Sequence, residues 1–224
     1  MIAPIPYKNQ EIRFKITDPG DHLQSYWLAG YFYENGMLYF IENYRKRELA
    51  GRQPVIIDVG ACIGNHTIFF AKVMGAYVYA FEPVKANMEL LKANALLNGV
   101  FHQILPILKG AGSARSQVKF QPDTTGNSGM GKISPEGFDT IDLVPIDQVI
   151  SPSHEVDVMK IDVEGYNIPV LEGARRTIEH DHPEIYIECQ TPAELQEVEN
   201  FLLPLGYTRY PHPFNATPTY LFYY

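Results

Sequence analysis

The stretch VIIDVGACIGNHTIFFAKVMGAYVYAFEPVKANMELLKANALLNG, residues 55–99, changes its hydrophobic period repeatedly along its length. VIIDVG (55–60) is an apolar, β-branched run bounded by Pro54 and closed by glycine, and it reads as a buried strand. Thr67 to Met74 follows as a helix stopped by Gly75. YVYAF (77–81) is too aromatic and too short for a buried helix and reads as a second strand. Pro83 suits the first turn of the next helix, where Val84, Met88, Leu91 and Ala95 keep helical spacing until Asn98-Gly99 ends it. Strand, helix, strand and helix in this order are the repeating unit of a doubly wound α/β sheet.

Downstream, a third strand is expected within His102–Leu108. The glycine-rich stretch 109–140 holds SQVKF (116–120) as a short strand and GNSGMG (126–131) as a loop. LVPIDQVI (143–150) can add an edge strand, because Pro145 argues against a central place. DVMKIDVEG (157–165) is the next strand and turn, followed by a helix with Leu171, Ala174 and Ile178 as its apolar stripe; EIYIEC (184–189) is a further strand. Thr191-Pro-Ala-Glu194 is a capping box that opens a helix burying Leu195, Val198 and Leu202, and Gly206 stops it. The tail reads as a tyrosine-rich hairpin through YTRY (207–210) and TYLFYY (219–224). A mostly parallel sheet with an antiparallel C-terminal strand is the expected fold.

Upstream, Tyr26, Trp27, Tyr31, Phe32, Tyr33, Tyr39, Phe40 and Tyr44 stand at spacings that pack as helices broken near Asn35-Gly36. Residues 1–50 are therefore read as an N-terminal helical segment ahead of a domain over residues 51–224, the two forming one compact unit. The 224 residues are 46% hydrophobic and 20% charged, the composition of a globular protein with a real core. Lys and Arg total 18 against 26 acids, a net charge of −8, so affinity driven by a nucleic-acid backbone is not expected. The longest uncharged stretch between charged residues, Ala93 to Leu108, carries Asn94, His102 and Pro106 and is no membrane span. The N-terminus has no signal-peptide pattern, and a cytoplasmic location is expected. Cys62 and Cys189 follow strands two places apart, so they are expected to stay reduced.

The chemistry gathers at the ends of these strands. DVGACIGNHT delivers Asp58, then Gly60 and Gly64, before a helix begins near Asn65–Thr67. Glycine at both points lets the backbone turn tightly and a ligand approach closely. Glu82 ends the second strand, where a carboxylate can accept hydrogen bonds from both hydroxyls of a ribose. These features describe a nucleoside-binding βαβ unit. Cys62 holds the middle glycine position of the GxGxxG pattern, so the dinucleotide fingerprint is broken.

This stretch, together with VMKIDVEG (158–165), VLEGA (170–174) and IYIEC (185–189), resembles the FkbM family of S-adenosylmethionine-dependent methyltransferases. The resemblance spans about residues 55–190 and implies a class I, Rossmann-like methyltransferase fold. It implies that Gly60, Ala61, Gly64 and Asn65 wrap the methionine part of the cofactor, that Glu82 holds its ribose, and that Thr67 belongs to the same set. Asp58 either anchors the loop or reaches the amino group. The implied acceptor is a hydroxyl on a small molecule or glycan. Two positions depart from the family pattern: Cys62, often asparagine there, and Asn167, where glutamate commonly follows the Glu-Gly pair.

Asp162 and Glu188 end two strands expected to be neighbours, at the carboxyl side where ligands sit in such sheets. Two such carboxylates can bind a divalent ion such as Mg, raise each other's pKa so that one acts as a base, or bond to loop amides. A general base is sought among Asp162, Glu164 and His66. Two other functions stay open at this point: a methyltransferase-like protein that binds a cofactor or partner without catalysis, and an NAD-type oxidoreductase.

Overall fold

The computed structural model describes residues 1–48, 51–122, 129 and 131–224. In chain order the elements are β1 (Ile2–Tyr7), β2 (Gln10–Lys15), α1 (His22–Leu28), α2 (Asn35–Glu48), β3 (Val55–Val59), α3 (Asn65–Val73), β4 (Tyr77–Phe81), α4 (Lys85–Leu97) and β5 (Ile104–Ile107). Then come β6 (Gly110–Ala111), β7 (Ser116–Gln121), β8 (Lys132–Ile133), β9 (Asp139–Val144), β10 (Val158–Ile161), α5 (Asn167–Gly173) and α6 (Arg175–Asp181). The last are β11 (Glu184–Glu188), α7 (Pro192–Leu202), β12 (Thr208–Arg209) and β13 (Thr219–Tyr223).

Seven strands form the central sheet in the order β12-β13-β11-β10-β3-β4-β5. Pairings β11 to β10, β10 to β3, β3 to β4 and β4 to β5 are all parallel, and β13 runs antiparallel to β11. The chain winds outward from β3 to β5, then returns to the other side of β3 and winds outward again from β10. The crevice at the carboxyl ends of β3 and β10 is therefore the topological switch point, the place such sheets keep for ligands. Every residue of β3 and β10 is buried, as expected of strands covered on both faces. Successive side chains of β3 point to opposite faces: Ile56 joins the core with Phe69, Phe70 and Leu91, while Ile57 joins Met159, Leu171, Ile185 and Val198.

Several expectations change at the edges. Helices do occupy much of the N-terminal segment, but its first residues form the antiparallel hairpin β1–β2. The alternating burial of both strands explains this, for EIRFK has the two-residue period of a strand, which the aromatic density further on obscured. The strand expected at 143–150 is instead β9, which starts four residues earlier at Asp139 and ends at Val144, and it belongs to a separate four-stranded sheet ordered β6-β9-β7-β8. Pro145 ends that ladder, and Ile146–Gln148 turn as a 3-10 helix. The helix expected around Leu171, Ala174 and Ile178 is broken into α5 and α6. Gly173 sits at the break, where a Cβ would come within 2.1 Å of the carbonyl oxygen of Gly112. The loop expected at 126–131 lies largely outside the described residues. Cys62 and Cys189 are not joined in a disulfide.

The hairpin is tied to the nucleoside-type unit by two buried asparagines of α4 and its end. Asn98 accepts from the Arg13 amide at 2.9 Å and donates to the Arg13 carbonyl at 2.7 Å. Asn94 accepts from the Lys15 amide at 2.8 Å and donates to the Ile63 carbonyl at 3.0 Å, joining the hairpin, the helix and the loop after β3. The open edge of β2 is thereby satisfied by side chains. Asn94→Ala strands two backbone groups in the interior and is expected to cost about 2–3 kcal/mol. A urea titration checks this, with a lowered midpoint for Asn94→Ala and no comparable change for the exposed Glu89→Ala.

Candidate active site

A cavity of about 350 Å³ opens at the carboxyl ends of the central strands. Its floor is the turn after β3. Gly60 takes φ +77°, and its amide and that of Ala61 both donate to the Phe81 carbonyl at 3.0 Å. A Cβ at Gly60 would lie 2.0 Å from the carbonyl oxygen of Asp162, so only glycine lets the ends of β3 and β10 come this close. Gly64, with φ +95°, turns the chain into α3.

Glu82, only 5% exposed, holds the second side of the turn. One carboxylate oxygen accepts from the Cys62 amide at 2.9 Å and the other from the Val84 amide at 2.7 Å. Burial pushes its pKa up to about 7, against the pull of those amides and Asn87 toward the ionised form. Asn87 is hydrogen-bonded to the same carboxylate, which lines the cavity beside Pro83, Val84 and Asn87.

Gly60, Ala61 and Asn65 line the cavity with Glu82, while Asp58 and Thr67 stand behind its wall. Both are fully buried, and the Thr67 hydroxyl donates to Asp58 at 2.5 Å. Asn65 spends its side chain on the N-terminal segment: its oxygen accepts from Trp27 Nε1 at 2.9 Å and the Tyr33 amide at 3.1 Å, and its nitrogen donates to the Tyr33 carbonyl at 2.9 Å.

The opposite end of the cavity is rich in ionisable groups. Lys160, buried in β10, places Nζ 2.9 Å from Asp162 Oδ2 and 3.9 Å from Asp58 Oδ1. Burial works against its charge, but the carboxylates of Asp162, Asp58 and Glu34 outweigh burial and raise its pKa. Glu188 is raised to about 8, by burial and by the neighbouring Asp162 charge, with Lys160 opposing. Glu164 is raised by burial and by Asp162, and its carboxylate accepts from the Gln190 amide group. His66 also lines the cavity, with Nε2 3.0 Å from Glu34 Oε2.

Among the described residues no group of three or more His, Cys, Asp or Glu side chains is gathered as a metal site. The cation that Asp162 meets is the ammonium of Lys160. A lysine inside the four-residue apolar strand VMKI is a signal the sequence carries, since a buried charge demands partners. Glu34 and Tyr33 carry no such signal, because only the fold brings them to the cavity. The roof is also new: Phe120, Ile133, Ile141 and Leu143 of the small sheet close the cavity from above the strand ends.

The sequence profile of the Methyltransferase FkbM domain matches residues 58–209. This chain belongs to the FkbM methyltransferase family. It is 30% identical over 154 residues to the hexuronic acid methyltransferase AglP of Haloferax volcanii, a match covering 62% of each chain. A crystal structure of an FkbM methyltransferase from Methylobacillus flagellatus aligns with a TM-score of 0.60 at 24% identity, over 77% of this chain and 44% of that one. A putative rRNA methylase from Clostridium thermocellum aligns with a TM-score of 0.53 at 14% identity, over 83% of this chain and 92% of that one, which shows the shared fold. The chain thus spans less than two thirds of the length of the Haloferax volcanii relative and of the Methylobacillus flagellatus structure. Within this FkbM chain the glycine turn, Glu82 and the Asp162–Glu164 turn fall inside the matched range, whereas Tyr33 and Glu34 lie before it.

The raised carboxyl of Glu82 makes stability depend on pH in a defined direction. Its ordinary value of 4.5 becomes about 7 on folding, so the folded chain holds this proton more tightly than the unfolded one. The group's contribution is most favourable below pH 4.5 and is lost as pH rises through about 7, by on the order of 3 kcal/mol. Glu188 acts in the same direction up to about pH 8. Urea unfolding at pH 5 and pH 8 is expected to show a smaller difference for Glu82→Gln than for the native chain.

Proposed function

We propose that this chain transfers the methyl group of S-adenosylmethionine to a hydroxyl oxygen of a small molecule or glycan. The observation that carries this reading is Glu82. It is a buried carboxylate at the end of the second strand, held by the amides of Cys62 and Val84 and facing the same cavity as the Gly60 turn. That is the arrangement a ribose diol requires at a switch point. Family membership supports the transfer, and the name of the Haloferax volcanii relative supports a sugar-type acceptor.

In this proposal the turn formed by Gly60, Ala61, Gly64 and Asn65 holds the methionine part, Glu82 takes the ribose, and Asp58 and Thr67 stiffen the turn from behind. S-adenosylmethionine bound there supplies a methyl group activated by positively charged sulfur. The chain's own work is alignment, exclusion of water under the small-sheet roof, and removal of the acceptor proton by a group among His66, Asp162 and Glu164. The acceptor end is acidic, with Asp162, Glu164 and Glu188, and Lys160 is already engaged by Asp162. An acceptor without a carboxylate of its own suits this end better than a uronate. Among the described residues no helix is long and apolar enough to cross a membrane. A cytoplasmic site of action and an acceptor other than nucleic acid belong to the same proposal, the latter supported by the net charge of −8. The segment 1–50 and the domain 51–224 are proposed to work as one unit.

Calorimetry with S-adenosylmethionine tests the donor site. Glu82→Ala is expected to weaken binding by about 1.5–3 kcal/mol, roughly 10- to 150-fold. Unchanged affinity in a folded variant would remove the ribose assignment. Release of S-adenosylhomocysteine across a panel of methyl hexosides and methyl hexuronides tests the acceptor, with faster turnover expected for the neutral sugars.

A further inference from the structure

Two segments far apart in sequence meet at the first turn of α3. Asn65 accepts from Trp27 Nε1 and the Tyr33 amide and donates to the Tyr33 carbonyl, which fixes the loop that follows α1. That fixing sets the next residue, Glu34, against the residue after Asn65. Glu34 Oε2 lies 3.0 Å from His66 Nε2, with the two side chains 4% and 7% exposed. The present angle is outside hydrogen-bond geometry and neither atom has a hydrogen-bond partner, so a small turn of either side chain is what would pair two polar atoms otherwise left buried and unmatched. Glu34 also holds φ +56°, a left-handed conformation that strains a non-glycine residue.

His66 has a second nitrogen. Nδ1 makes no hydrogen bond among the described residues, yet it is absent from the buried atoms that lack a partner, so it is open to the cavity that His66 lines. The competing groups are committed: Asp162 to the ammonium of Lys160, and Glu164 to the side-chain amide of Gln190. The charged and titratable groups around this end are Tyr33 and Glu34 from the N-terminal segment, Lys160 and Asp162 from β10 and its turn, and Glu188 from β11.

We propose that Glu34 is a positioning residue that accepts the Nε2 proton of His66, fixes the tautomer with Nδ1 unprotonated, and so makes His66 the group that deprotonates the acceptor hydroxyl. The role rests on the methyl-transfer reading above. The proton leaves the acceptor oxygen for Nδ1, and the oxygen's electron pair forms the new bond to the methyl carbon. The pair of the broken carbon–sulfur bond stays on sulfur. A carboxylate behind a histidine base is the general device for setting its tautomer and orientation. Here the acid comes from outside the range matched to the family, residues 58–209.

Nitrogen-15 NMR of the histidine rings in the full chain tests the dyad without any substrate, with His66→Asn assigning the signal. The native chain is expected to show His66 with Nε2 protonated and Nδ1 bare; Glu34→Ala is expected to mix the tautomers, and Glu34→Gln, which keeps an acceptor oxygen, to preserve the native one. With an acceptor from the sugar panel, Glu34→Ala is expected to lower kcat about 10- to 100-fold at unchanged S-adenosylmethionine affinity, and Glu34→Gln to recover part of it. Protonation at Nδ1 in the native chain, or native tautomer and kcat in a folded Glu34→Ala variant, would overturn the proposal. Failure of the native chain to bind S-adenosylmethionine would instead strike the methyl-transfer reading, while the NMR result would still decide whether the dyad exists.

Discussion

The ammonium of Lys160 is the interaction on which the crevice depends. It stands in the strand beside β3, buried, between Asp162 on its own strand end and Asp58 on the neighbouring one. Removing Lys160 and Asp58 from water is costly, and attraction between them and the half-buried Asp162 offsets that cost only when the geometry is held on all sides. The parallel register of β3 and β10, which sets Lys160 opposite Asp58, supplies that hold. The same charge arrangement lets further carboxylates, Glu34 and Glu188, stand near the strand ends without an unopposed cluster of negative charge.

Much of the fold was legible because its period was local. The run VIIDVG, the helix stopped at Gly75 and the capping box at Thr191 each declare themselves within a few residues, and the observed strands β3, β4, β10 and β11 fall where those signals place them. The hairpin β1–β2 was missed because its alternating pattern is short, includes Pro4 and Pro6, and stands before a stretch dominated by aromatic residues. The break at Ala174 depends on how closely Gly173 passes the backbone of Gly112, a contact across more than sixty residues that no local pattern reports.

The candidate site divides in the same way. Gly60 and Glu82 could be read from spacing, since a ligand turn and a strand-end acid keep fixed positions in a βαβ unit. Lys160 was missed, although a charge inside an apolar strand is a local signal that could have marked it. Asp58 and Thr67 were visible as residues near the turn, but their burial behind the wall was not, because facing depends on the strand's neighbours. Glu34 had no signature at all; its place follows from the hydrogen bonds of Asn65.

The cavity's walls also bear on where this protein can be divided. Similarity to the family runs from residue 58 to residue 209, yet His22, Leu23 and Tyr33 line the cavity from before that range and Thr217 from beyond it. An excised fragment drawn to those limits would carry the whole glycine turn and leave the crevice open on two sides. The unit that sequence comparison detects is therefore smaller than the unit that encloses a ligand.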